Sequence, residues 1–171
     1  MNDFEVIKDL NKVKEIEVAL RENFGDLYGD IWQMGICSAL RISELLTITF
    51  DAVSGDTLTL TKNTAREEKE IKLNQATLDI ITKRRIAYPE HRFLFQTESD
   101  SSKSLNAPVS HMAVFNAFKV VGEHGNINMK LSHNMMRKTS CYHLLESGQS
   151  LEMIANTTGH SIRNISTYYC S

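Results

Sequence analysis

The sequence contains little that would divide the chain or anchor it in a membrane. Only two of its 171 residues are proline, and no stretch is rich in proline, glycine and serine. We therefore expect a single domain over residues 1–171 with one hydrophobic core. No apolar run approaches the roughly 20 residues that a membrane-spanning helix needs. The N-terminus, MNDFEVIKDL, lacks the basic and then apolar pattern of a secretory signal.

Cysteine is also scarce. Cys37, Cys141 and Cys170 are odd in number and do not have the spacing of metal ligands. This pattern argues against a disulfide framework and against a zinc site. We therefore expect a reduced, cytoplasmic protein with no metal and no membrane partner.

Charge of one sign is not in large excess. The formal net charge of -2, taken alone, argues against a nucleic-acid partner. The charges are unevenly distributed, however: residues 1–31 hold eight acidic and four basic side chains, whereas residues 103–171 hold six basic and three acidic ones. A DNA-facing surface is therefore compatible with the C-terminal part of the chain.

The N-terminal third has the hydrophobic pattern of helices. Apolar residues recur at the helical period over 11–24, with Asn11 as the expected N-cap and Gly25 as the terminator. Residues 26–38 are apolar on several sides, which is typical of a buried helix. Ser43 is the expected N-cap of the short helix that follows.

Alternation at period two predicts a small antiparallel sheet. Residues 57–61 and 69–73 form a hairpin with Lys62 at or near its turn. Lys69 and Lys72 are interpreted as ordinary charges on the face of the second strand.

The rest of the chain is predicted to be mainly helical. The short apolar stretch 92–96 could add a third strand to the hairpin. Five further segments have the spacing or the caps of helices: 74–86, 109–122, 134–147, 150–157 and 161–169. The predicted fold class is therefore α+β and mainly α-helical, with a small three-stranded antiparallel sheet.

Residues 131–171 carry the groups with the clearest chemistry. Arg137 lies near the start of a predicted helix, His160 follows a glycine, and Tyr169 comes nine residues after His160. An arginine fork fits two phosphate oxygens. A phenol, with a pKa of about 10, needs positive surroundings or a base in order to attack at neutral pH. This order of residues suggests a site that binds a phosphate and attacks it with tyrosine.

Four separated segments resemble, in the right order, the catalytic domain of the tyrosine recombinases, the phage-integrase family. They resemble the first arginine box (ALRISELL), the catalytic-lysine hairpin (ending in Lys62), the second box (HNMMRKTSCYHLLESG) and the third box (IANTTGHSIRNISTYY) of the family. Together they cover residues 25–170, and the spacing from His160 to Tyr169 fits the family. The resemblance implies the recombinase fold in a single catalytic domain. It also leads us to expect that the N-terminal core-binding domain of the family is absent.

The resemblance also implies a function. The family comprises site-specific recombinases and integrases of phages and mobile elements, which cut and rejoin double-stranded DNA through a 3′-phosphotyrosine intermediate. They use neither a metal nor another cofactor, and their chemistry implies four protomers around two duplexes. We therefore expect a DNA-recombining enzyme that acts with other recombinase protomers.

The family roles fall on particular residues of this sequence. Arg41 and Arg137 match the arginines that clamp the scissile phosphate, and Lys62 matches the lysine that protonates the leaving 5′-hydroxyl. His160 matches the third-box histidine and Tyr169 the nucleophile, whereas Tyr168 has the wrong spacing. Glu44 stands where the family often has an acid that supports the first arginine. Two positions depart from the family pattern: Ala39 replaces a usual glycine, and Asn134 replaces the usual second-box histidine.

The second box leaves two alternatives open. Asn134 stands three residues before Arg137, where the family has histidine, and His133 stands one residue earlier. Asn134 replaces the histidine as a pure hydrogen-bond donor, or His133 reaches the site through a local shift. A third outcome is reduced activity, so the alternative function is a recombinase-like module that binds DNA or a partner without cutting.

Overall fold

The computed structural model describes residues 5–61, 68–97, 106–124, 126–158 and 161–170, with the backbone alone for residues 168–170. The helices are α1 (Leu10–Phe24), α2 (Asp26–Ser38), α3 (Ile42–Thr47), α4 (Gln75–Ala87), α5 (His111–Glu123), α6 (His133–Glu146), α7 (Leu151–Thr158) and α8 (Ile162–Cys170). The strands are β1 (Val53–Ser54), β2 (Thr57–Thr61) and β3 (Glu68–Lys72), and a short 3₁₀ helix (Phe50–Ala52) precedes them. The predicted fold class is confirmed. None of the described helices is long and apolar enough to cross a membrane.

Helix α1 begins earlier than predicted. Its N-cap is Asp9, whose carboxylate accepts a hydrogen bond from the backbone N–H of Asn11 at 2.9 Å. The prediction of Asn11 as the cap was wrong because the carboxylate of Asp9 already satisfies a free N–H of the first turn. Gly25, with φ 102°, ends α1 as predicted, and α2 begins at the next residue.

Helix α2 lies at the centre of the main core. Its Trp32 is fully buried, packs edge-on against Phe118 of α5 at 5.5 Å between ring centroids, and donates its indole N–H to the Val13 carbonyl of α1. The buried ring is therefore both packed and hydrogen-bonded. A Cβ at Gly35 would lie 2.3 Å from the sulfur of Met136, so α2 and α6 approach closely at this position.

The sheet contains the predicted hairpin but a different third strand. Leu58 of β2 pairs with Val53 of β1 and with Ile71 of β3, in an antiparallel order β1-β2-β3. Gly55, with φ 59°, lies in a two-residue turn that joins β1 to β2, and such a local hairpin closes at low entropic cost. The prediction that 92–96 adds the third strand was wrong, because this segment forms only isolated bridges to residues 49 and 108.

Polar caps set the start of the later helices. Asn74, Ser110 and Ser132 accept hydrogen bonds from backbone N–H groups in the first turns of α4, α5 and α6. The Ser132 cap places His133 inside α6, one residue earlier than predicted. This start brings His133 and Arg137 one helical turn apart.

A second, smaller core lies beside the main one. It contains Ala39, Cys141, Ile154 and Ile165, each at most 1% exposed. These residues come from the end of α2 and from α6, α7 and α8, so this cluster attaches the last two helices to α6. The single core expected from the sequence is therefore a main core with a satellite at the C-terminal end.

A buried carboxylate joins three helices. Asp30 of α2 is fully buried and lies 2.9 Å from Arg84, 2.9 Å from Arg21 and 2.5 Å from Lys83. Arg84 is itself 1% exposed and also donates to the Leu94 carbonyl at 2.7 Å. Burial alone would raise the pKa of Asp30, but the hydrogen bonds from Lys83, Arg84 and Arg21 outweigh it and lower that pKa. The cluster therefore fixes α1 and α4 on α2.

We predict that Asp30→Asn destabilises the fold by about 3–5 kcal/mol, since it removes the carboxylate that pairs with the buried Arg84. Because the folded pKa of Asp30 is lowered, its contribution is present above about pH 4 and is lost as the pH falls through the folded pKa. Denaturant unfolding at pH 7 and pH 3 checks both statements. Asp26→Asn is the control, since the Asp26 side chain is 73% exposed beside Arg21. Equal effects of the two substitutions would contradict the role of the buried cluster.

Candidate functional site

The segment between α2 and α3 lies between the two cores. Ala39, fully buried in the second core, follows the end of α2 with φ 57° and ψ 17°, in the left-handed region. Leu40 packs into the main core. A left-handed backbone favours glycine, which gives a physical reason why glycine would suit position 39. The conformation turns the chain so that Arg41 is exposed.

Arg41 begins helix α3. It is the N-cap, and its backbone N–H donates to Glu44 Oε2 at 2.9 Å. The prediction of Ser43 as the cap was wrong, because Glu44 at the third helical position binds the cap residue from within the helix. Glu44 therefore holds the backbone of Arg41 in place.

Arg137 connects two distant parts of the chain. From α6 it donates Nε to the Ala39 carbonyl at 3.1 Å and Nη2 to the Thr158 carbonyl at the end of α7. Ala39 and Thr158 precede Arg41 and His160 by two residues each. The half-buried guanidinium of Arg137 thus joins the segment that contains Arg41 to the end of α7.

Lys69 makes a second connection to the end of α7. Its Nζ donates to the Thr157 carbonyl and lies 3.9 Å from Glu44 Oε1. The interpretation of Lys69 as an ordinary strand-face charge was wrong, whereas Lys72 is 75% exposed and lies 3.9 Å from Asp56. Strand alternation places Lys69 on the same face as the buried Ile71, and this was the signal available in the sequence.

Helix α8 carries the candidate nucleophile. Ser161 Oγ accepts a hydrogen bond from the Asn164 N–H at 3.2 Å, and Ile165 is fully buried in the second core. Tyr168 and Tyr169 belong to the last turn of this helix. Burial of Ile165 fixes α8 against α6 and α7.

Lys62 and His160 lie outside the described residues. Their neighbours are described: β2 ends at Thr61, directly before Lys62, and α7 ends at Thr158, two residues before His160. Strand β2 is paired with β3, which carries Lys69. The end of α7 accepts hydrogen bonds from Lys69 and Arg137.

The two residues proposed for the second box have different surroundings. Asn134 is exposed in the first turn of α6, three residues before Arg137. His133 is half-buried against α5, with its ring centroid 5.7 Å from that of Phe118 and 6.3 Å from that of His111. Burial and then the neighbouring His111 lower the pKa of His133, so its imidazole is neutral at pH 7.

Cysteine does not provide a nucleophile among the described side chains. Burial raises the pKa of Cys141 to about 11, and that of Cys37 is raised for the same reason. Both thiols are therefore protonated at neutral pH. Within the described ranges, no group of histidine, cysteine, aspartate and glutamate could hold a metal ion. Among the described residues around the candidate site, the groups that could bind a substrate are therefore arginine, lysine and amide hydrogen-bond donors.

The structure brings together segments that are far apart in the sequence. Four parts of the chain meet through the contacts of Arg137 and Lys69. They are the segment between α2 and α3 that contains Arg41 (the Arg41 segment), strand β3, helix α6 and the end of α7. Residues 31–171 match the model of the phage integrase family. The chain therefore belongs to the phage integrase family, the class of the tyrosine recombinases.

Solved structures of this class share the fold. XerA recombinase superposes with a TM-score of 0.74 at 13% identity, over 96% of this chain and 60% of that one. A lambda integrase (75-356) dimer bound to a COC' core site gives 0.73 at 12%, over 96% and 59%. The catalytic domain of bacteriophage HP1 integrase gives 0.63 at 14%, over 95% and 86%. The chain thus spans about 60% of the length of the first two. No curated protein sequence matches it.

We predict that Ile165→Ala loosens α8, at a cost of about 2–5 kcal/mol to its docking, because it removes a fully buried side chain from a small core. Hydrogen exchange of the α8 amides should become faster while exchange in α2 is unchanged. Ile162→Ala in the same helix is the control, since Ile162 is 43% exposed. If both substitutions leave exchange in α8 unchanged, the second core does not hold this helix.

Proposed function

We propose that this chain is the catalytic domain of a site-specific recombinase that cuts and rejoins double-stranded DNA through Tyr169. The observation that carries the proposal is the double contact of Arg137 with the Ala39 and Thr158 carbonyls. It joins the Arg41 segment and the end of α7, which is two residues before His160 in the sequence, around one guanidinium. Membership of the phage integrase family supports the proposal that the chain cuts and rejoins DNA. So do similar structures solved on DNA, such as XerH bound to its difH substrate.

The two arginines would clamp the scissile phosphate. Arg41 is exposed at the start of α3, and Arg137 is held in orientation by backbone carbonyls. Their planar forks match the nonbridging oxygens, which gain negative charge as the phosphorus is attacked. The arginines therefore bind the transition state more strongly than the ground state, as catalysis requires.

The covalent steps require a nucleophile and an acid. The Tyr169 phenol loses its proton to water as its oxygen attacks the phosphorus, the bond from phosphorus to the 5′ oxygen breaks, and Lys62 gives the departing oxygen a proton. His160 contributes a further hydrogen bond to the phosphate. In the return step the 5′-hydroxyl returns its proton to Lys62 as it attacks the 3′-phosphotyrosine, and the leaving phenolate takes a proton from water. The number of phosphoester bonds is conserved, so rejoining needs no ATP.

Asn134 takes the place of the second-box histidine. It is exposed on the first turn of α6 and precedes Arg137 by three residues, which places both on one side of the helix. Its amide can donate a hydrogen bond to a phosphate oxygen but cannot transfer a proton. The ring contacts of His133 are with α5, and Glu44 supports Arg41 through its backbone N–H.

Further copies of the chain would assemble on the DNA. Lambda integrase was solved as a dimer on its core site, and the Tn1549 transposon integrase in complex with circular intermediate DNA. Recombination exchanges strands between two duplexes, each cut on both strands, so we propose four protomers in the active assembly.

We predict that Tyr169→Phe abolishes covalent attachment to DNA, because phenylalanine lacks the attacking oxygen. The substrate is a labelled pool of duplexes with a randomised segment and a nick, from which a short 5′-hydroxyl strand is lost after cleavage. Denaturant-resistant attachment is measured on gels. Tyr168→Phe is the control and should attach like the wild type.

Two results would contradict this assignment. Attachment by Tyr169→Phe together with loss in Tyr168→Phe would make Tyr168 the nucleophile. DNA binding by the wild type without any attachment would favour a module that no longer cuts.

We further predict that Asn134→Leu slows attachment by about 10²–10³-fold, the usual effect of losing one transition-state donor. His133→Phe should leave the rate unchanged, since the ring packs on α5 and its buried Nδ1 has no hydrogen-bond partner among the described residues. Single-turnover rates at saturating DNA measure both. The opposite pattern, with a loss only in His133→Phe, would assign the role to His133.

A further inference from the structure

We propose that Lys69 is a positioning residue of the DNA-cleaving site, one that fixes the end of α7 relative to the Arg41 segment and to the hairpin. This inference rests on the proposed function. None of the roles that the family resemblance assigns falls on Lys69.

The geometry of Lys69 joins three elements. Its ammonium group leaves β3, donates to the Thr157 carbonyl of α7, and lies 3.9 Å from Glu44 Oε1. The other carboxylate oxygen of Glu44 accepts the N–H of Arg41 at 2.9 Å. A continuous path of polar contacts therefore runs from the end of α7 through Lys69 and Glu44 to the backbone of Arg41.

The surroundings make this contact stronger than an ordinary surface pair. The Lys69 side chain is 19% exposed and that of Glu44 is 26% exposed, so solvent screens them less than it screens a surface pair. The Thr157 carbonyl belongs to the last turn of α7, where the helix dipole favours a cation. Lys69 thus satisfies a helix end and a carboxylate at once.

Lys69 and Arg137 act on the end of α7 from two sides. Lys69 binds the Thr157 carbonyl and Arg137 binds the next one, that of Thr158. Arg137 leads from there to Ala39, and Lys69 leads to the Arg41 backbone through Glu44. Two parallel links therefore set the distance between the α2–α3 segment and the end of α7.

The position of Lys69 in the sequence extends the effect to the hairpin. It lies on β3, which pairs with β2 up to Thr61, directly before Lys62. The residues proposed as first arginine, general acid and third-box histidine therefore all adjoin elements that Lys69 contacts or belongs to. A shift of about 1 Å in such groups can cost on the order of 100-fold in rate.

The test compares Lys69→Met, Lys69→Arg and Lys72→Met in the full chain. Lys69→Met keeps the length of the side chain but removes its positive charge and its hydrogen-bond donors. Lys69→Arg keeps the charge and the donors. Lys72→Met is the matched control on the same strand, since Lys72 is 75% exposed. Covalent attachment to the nicked duplex pool is timed at saturating DNA, and the affinity for the same DNA is measured separately.

We expect Lys69→Met to slow attachment by about 10- to 100-fold with unchanged DNA affinity. Lys69→Arg should restore most of the rate, and Lys72→Met should have the wild-type rate. Equal rates for Lys69→Met and the wild type would overturn the inference, as would a loss of affinity without a loss of rate. A wild type that never attaches refutes the proposed function instead, so the two failures are distinct.

Glu44→Gln gives an independent measurement if Lys69→Met does not fold. The amide keeps the size of the carboxylate and weakens its attraction to Lys69. Glu44→Gln should slow attachment at unchanged DNA affinity, because it weakens the contact of Lys69 with residue 44. An unchanged rate in Glu44→Gln would overturn the inference.

Discussion

The contact of Arg137 with two backbone carbonyls is the interaction on which the proposed site depends. Without it, the Arg41 segment and the end of α7 would be joined only by packing and by the path through Lys69 and Glu44. The Ala39 and Thr158 carbonyls are 98 and 21 residues from Arg137 in sequence. A guanidinium suits this position because its rigid plane carries several donors in fixed directions. The same guanidinium is the group proposed to bind the phosphate. One side chain would therefore both hold the two segments together and bind the substrate.

The elements around this site are held by two cores of different size, a large main core and a small second core. The main core and the buried Asp30 cluster fix α1, α2 and α4 together. The last two helices are attached through a small cluster that includes Ile165. Ala39 packs in the second core and Leu40 in the main one, so the Arg41 segment lies where they meet. Of the described α8 side chains only Ile165 is buried, so the helix that carries the proposed nucleophile Tyr169 has one buried anchor there.

Local signals predicted the helices and the hairpin, because apolar spacing and capping residues act within a few positions. Local competition explains the errors there: Asp9 caps α1 before Asn11 can, and the turn at Gly55 supplies a third strand nearer than 92–96. The spacing and order of residues indicated the family and the candidate residues. Contacts between distant residues were not predictable. Alternation could have placed Lys69 on the same face as Ile71, but its partner Thr157 is 88 residues away. The residue pairs of the Asp30 cluster likewise join different helices.

A structure of the chain trapped on a nicked duplex would test the central claim most directly. The quantity to measure is the distance from the scissile phosphate to the guanidinium groups of Arg41 and Arg137. The account predicts that both lie within about 3 Å of oxygens of the same phosphate, and that this phosphate is bonded to Tyr169. Arginines on different phosphates, or a phosphate bonded to another residue, would contradict it.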